Sequence, residues 1–80
     1  MRLQIAWGYP ALTTLYALSP HEAAAVDRAV IHFAERGEGR LTRVGPYFRL
    51  EAGAHDAVVV IDRETWRMTV LRIYRARYRT

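Results

Sequence analysis

Leu3, Ile5 and Trp7 alternate with Arg2, Gln4 and Ala6, the period-two pattern of an opening strand with one apolar face. Gly8-Tyr9-Pro10 ends that pattern, and Leu12, Leu15 and Tyr16 fit a short helix over residues 10–18. Ser19-Pro20-His21-Glu22 then supplies a helix start: serine as N-cap, proline at the first helical position, and glutamate placed to close a capping box. Ala23, Val26, Val30 and Phe33, with Ala29 and Ala34 beside them, make one apolar stripe at helical spacing. Gly37 stands where a C-cap glycine belongs. The spacing predicts two linked helices, the second over residues 20–36.

After Gly37-Glu38-Gly39 the period shortens to that of strands. Residues 41–51 read as one strand with a bulge or bend at Gly45-Pro46, and Ala52-Gly53 turns the chain. Residues 56–61, apolar from Ala57 on, read as a central strand covered on both faces. A tight connection over residues 62–65 leads to a last strand over residues 66–75. The order β-α-α-β-β-β predicts an α+β domain: a mostly antiparallel four-stranded sheet with a helical hairpin packed on one face. No repeat or linker interrupts it, so residues 1–80 are expected to form a single domain.

Composition narrows the function classes. A chain of 80 residues with 51% apolar and 25% charged positions is globular and small, and it buries only about 60% of its unfolded surface. No apolar run approaches the roughly 18–20 residues of a bilayer span, no signal-peptide core opens the chain, and there is no cysteine, which together favour a cytoplasmic protein. His21, His32 and His55 and the eight acids show no metal-ligand spacing, so neither a metal nor another cofactor is expected. Net charge is +4, and all twelve basic residues are arginine.

Those arginines are unevenly placed. Residues 72–80 hold four of them, interleaved with Tyr74 and Tyr78, at the end of the last apolar segment. Guanidinium groups pair bidentately with phosphate oxygens and tyrosine rings stack on unstacked bases, so this end points to RNA, to phosphate chemistry or to an acidic protein. Alternation puts Tyr47 and Arg49 on one face of their strand and Phe48 and Leu50 on the other, with the helices expected over Phe48 and Leu50. In the last strand Leu71, Ile73 and Arg75 share one face, and Val70, Arg72 and Tyr74 the other. Both sets begin apolar and end polar, so sequence does not decide which meets the helices. Trp7 and Trp66 read as core or edge packing.

Tyr47-Phe48-Arg49-Leu50, Val58-Val59-Val60-Ile61-Asp62, and residues 69–75 followed by Tyr78 resemble the basic second strand, the central strand and the last strand of the RelE/ParE superfamily of bacterial toxins. The resemblance covers nearly the whole chain. It implies the toxin of a type II toxin–antitoxin system: a ribosome-dependent mRNA endoribonuclease that works without a metal and inhibits translation. It implies a cognate antitoxin, the ribosome and mRNA as partners, and no membrane. Carried over by position, Arg49, Arg75 and Tyr78 become catalytic candidates. Arg43, Tyr47, Arg72, Tyr74 and Arg77 become the wider RNA-binding set. Where the RelE-like pattern reads Tyr/His-Arg-apolar-apolar-Tyr, this chain reads Ala54-His55-Asp56-Ala57-Val58, and His55 becomes the fourth catalytic candidate, as acid or base. The same departure keeps a second branch open: a ParE-like inhibitor of DNA gyrase, or a toxin that only binds its antitoxin.

Overall fold

The computed structural model describes residues 2–77. In chain order it contains β1 (Gln4–Trp7), α1 (Tyr9–Ala17), α2 (Pro20–Arg36), β2 (Leu41–Val44), β3 (Tyr47–Ala52), β4 (His55–Asp62) and β5 (Arg67–Arg75). The five strands form one sheet in the order β1-β5-β4-β3-β2, with β1 parallel to β5 and every other pair antiparallel. The α+β class and the mostly antiparallel sheet agree with expectation; the strand count does not.

The fifth strand comes from Gly45-Pro46. Gly45 has φ of 61°, and the proline after it fixes its own φ near −65°. Those values match a two-residue hairpin turn with glycine first, whose twist suits the flanking strands. The chain therefore reverses fully instead of bending, and Val44 pairs with Tyr47. Trp66 also leaves the predicted last strand, since it sits in the preceding turn with φ of 53°.

α2 forms where its caps place it. The Ser19 hydroxyl accepts a hydrogen bond from the Glu22 backbone N–H at 3.2 Å, and Glu22 Oε1 accepts in return from the Ser19 N–H and O–H. Gly37 closes the other end at φ of 71°. Val26, Val30 and Ala34 of α2 and Ala11 of α1 pack on Leu50, Ala57, Val59, Met68, Val70 and Ile73, so both helices lie on one face of the sheet. Replacing Ser19 with alanine should cost about 1 kcal/mol, read from thermal unfolding, because it leaves a first-turn amide without its acceptor.

A bulge settles the ambiguity of the last strand. Val58 pairs with Arg72 but Val59 pairs with Val70, so Leu71 is the extra residue on β5. The parity flips there. Met68 and Val70 face the helices before the bulge; Ile73 and Arg75 face them after it. Arg72 and Tyr74 are thereby turned to the open face.

Candidate functional site

The open face of the sheet is built in cross-strand rows. Arg49, Val58 and Arg72 form one row, and Glu51, Asp56 and Tyr74 form the next. Between β3 and the end of β5 lies a trough of about 400 Å³, lined by Tyr47, Arg49, Asp56, Val58, Tyr74 and Arg77 among others. Val58 gives it an apolar wall, and Tyr47 and Tyr74 line it with about half their surface exposed. Arg49 Nε lies 3.8 Å from Asp56 Oδ2; the arginine side chain is 32% exposed and the carboxylate 4%.

This face can hold an anion and move a proton. Arg49, Arg72 and Arg77 supply cations, the two tyrosines supply stacking surface, and Asp56 is a carboxylate within the trough. Glu51 stands directly across from Asp56, so two acids temper the positive potential.

The other predicted residues fall elsewhere. His55 shares its strand face with Ala57 and Val59, pairs in register with Ala52 and Arg75, and is 5% exposed on the helix side. It therefore neighbours Arg49's strand without sharing Arg49's face. Arg75 points to the same side, where its Nη1 donates to Glu22 Oε2 at 3.4 Å. Arg75 also borders one end of the trough, the one predicted cation that touches both sides. Arg43 stacks over Phe48, 5.4 Å from the ring centroid, and lines a separate hollow with Pro46 and Arg63. Tyr78 lies outside the described residues. Asp56 is the trough carboxylate that sequence reasoning passed over in favour of its neighbour. Period-two alternation from the buried Ala57 carries the signal, since it places positions 55 and 57 together and 56 with 58. No group of three or more His, Asp or Glu among the described residues is arranged to hold a metal ion.

Hydrogen bonds from the Ser19 hydroxyl and backbone hold the Glu22 carboxyl below the usual carboxylate range, and the charges of His55 and Arg75 act in the same direction. A depressed folded value means that Glu22 stabilises the fold above its unfolded pKa and ceases to as pH falls through the folded one. Wild type should therefore melt above Glu22→Gln at neutral pH, with the gap closing below the ordinary glutamate range. A gap that stays constant on acidification would show that charge is not the source.

No protein-family model matches this sequence, and no curated protein matches it. Among solved structures, the fold is similar to a chain of the toxin–antitoxin complex RelBE2 from Mycobacterium tuberculosis, with a TM-score of 0.71 and 22% identity over 95% of this chain and 100% of that one. It is also similar to a chain of the archaeal RelE–RelB complex from Pyrococcus horikoshii OT3, with a TM-score of 0.77 and 10% identity over 100% of both. At these identities the likeness establishes the fold.

Proposed function

We propose that this chain is the toxin of a type II toxin–antitoxin pair, and that it halts translation in the cytoplasm by cutting mRNA on the ribosome with the open face of its sheet. The observation that carries this reading is the meeting of Arg49, Arg72, Tyr47 and Tyr74 on the open face of the sheet, with Arg77 lining the trough beside them. That it occurs on a fold shared along full length with chains of two toxin–antitoxin complexes supports both the toxin role and an antitoxin partner.

In the reaction the RNA 2′-oxygen attacks the adjacent phosphorus and the bond from phosphorus to the 5′-oxygen breaks. The products are a 2′,3′-cyclic phosphate and a 5′-hydroxyl. Asp56 takes the proton of the 2′-hydroxyl, the Tyr74 phenol gives one to the leaving 5′-oxygen, and Arg49 and Arg77 bear the charge of the crowded phosphate. The step uses protein side chains alone. Tyr47 and Val58 offer the flanking base an apolar seat.

One observation favours a second reading. Asp56 already pairs with Arg49, Glu51 faces Asp56, and His55 is turned to the helix side. A surface neutralised in this way suits a toxin that binds without cutting, as a gyrase inhibitor or an antitoxin-binding remnant. Induced expression decides between them. Growth arrest with mRNA cleaved at the ribosomal A-site codon is the expected result. Arrest with intact mRNA and impaired supercoiling transfers the assignment to gyrase, and unimpaired growth leaves antitoxin binding alone.

A further inference from the structure

Arg75 borders the trough, yet the proposed reaction gives it no task. Its place in β5 sets it on the helix side with Ile73, in register with the buried His55. It is also the last residue of that strand, where a long side chain has room to pass from one face of the sheet to the other. The backbone there is held, because the Ala76 N–H donates to the Ala54 carbonyl at 2.9 Å. The choice of face therefore belongs to the Arg75 side chain.

Glu22 makes that choice. Its two carboxylate oxygens have separate partners: Oε1 accepts from the Ser19 hydroxyl at 3.1 Å and from the Ser19 N–H, and Oε2 accepts from Arg75 Nη1 at 3.4 Å. The cap fixes the carboxylate at the start of α2, and the fixed carboxylate draws the guanidinium in. Capping needs only one of those oxygens, and glutamine would supply it. The cap thus explains Oε1 but not the reach of Oε2 to a residue 53 positions away. The Arg75 side chain is 68% exposed and that of Glu22 33%, and an ion pair this open is weak. A phosphodiester offers a guanidinium two oxygens in bidentate geometry and is the stronger partner.

Resting on the toxin reading above, we infer that Glu22 is a positioning residue for the RNA site: it holds Arg75 on the helix side of the sheet until a phosphate of RNA in the trough draws it away. Glu22 then sets how readily Arg75 joins Arg49 and Arg77 on the RNA backbone. The two paired arginines of the site differ in where their acids lie. Arg49 keeps Asp56 beside it inside the trough, whereas Arg75 leaves its acid behind on α2 when it moves. Its full charge therefore reaches the phosphate, opposed only by the weak pair it gives up.

The probe is a single-stranded RNA oligonucleotide, titrated well below the melting transition into wild type, Glu22→Gln, Arg75→Ala and the doubly substituted chain. Glutamine keeps the cap and removes the charge that holds Arg75, so the variant stays folded under these conditions. Glu22→Gln should bind RNA about three- to fivefold tighter than wild type. Arg75→Ala should cost more affinity in the Glu22→Gln background than in wild type, by that same factor. In that background it should also flatten the dependence of log affinity on log salt by about 0.7, the mark of one lost phosphate contact. Equal affinity for wild type and Glu22→Gln, with Arg49→Ala still weakening binding, overturns the role of Glu22 and leaves the toxin reading standing. So does a gain that survives Arg75→Ala, which assigns it to net charge. Absence of RNA binding by wild type overturns the RNA reading of the trough, and the Glu22 assignment falls with it.

Discussion

Asp56→Asn is expected to slow RNA cleavage by about 100-fold or more while tightening RNA binding a few-fold. The two effects separate because the proposed reaction gives Asp56 two jobs on the open face. As a carboxylate lining the trough it is the proposed acceptor of the 2′-hydroxyl proton, a role an amide does not fill. As a negative charge at 4% exposure it also holds Arg49 back from phosphate and stands across from Glu51. The amide keeps the shape and removes both the base and the opposing charge, so the fold should persist and the cations should meet the RNA backbone more freely. Arg49→Ala provides the contrast: cleavage and affinity should fall together, with a shallower dependence of affinity on salt. Single-turnover cleavage and filter binding across a salt series measure all of this. Wild-type cleavage by the asparagine variant would move the base to another residue.

How much of this was legible beforehand depends on whether a pattern was local. The second helix is predicted to the residue, because Ser19, Pro20, Glu22 and Gly37 act within one turn of its ends. The Gly45-Pro46 pair carries its own turn chemistry, yet a bend and a reversal use the same residues; only the pairing of Val44 with Tyr47 tells them apart. The bulge at Leu71 has no local signal, since Val70, Leu71 and Ile73 are all apolar, and the partner strand decides which residue is extra. That one residue turns Arg72 and Tyr74 outward and Arg75 toward Glu22. The parallel pairing of β1 with β5 joins positions about 60 residues apart and left no mark on the pattern. For the site, Arg49 and Tyr47 were placed by simple alternation. Imidazole chemistry favours His55, but alternation puts it on the helix face and puts Asp56 on the face of Arg49.

Leu50→Ala should lower the melting temperature by roughly 10–40 °C. Leu50 is fully buried, on the reverse of the strand from Arg49, with Leu41 and Ala57 as its cross-strand neighbours. The site cannot easily close after truncation, because paired strands fix the backbone on both sides, and a Leu-to-Ala cavity of this kind costs about 2–5 kcal/mol. A domain of this size holds roughly 4–12 kcal/mol in total, so the variant is left marginal or unfolded at 37 °C. The same residue then tests how the partner works. A ligand that binds only the folded chain adds about 2.7 kcal/mol at a hundredfold excess over its dissociation constant. Antitoxin present at that ratio should return most of the lost melting temperature to Leu50→Ala. A shift below about 5 °C for Leu50→Ala would place the centre of the core elsewhere, and no rescue by antitoxin would overturn the proposed pairing.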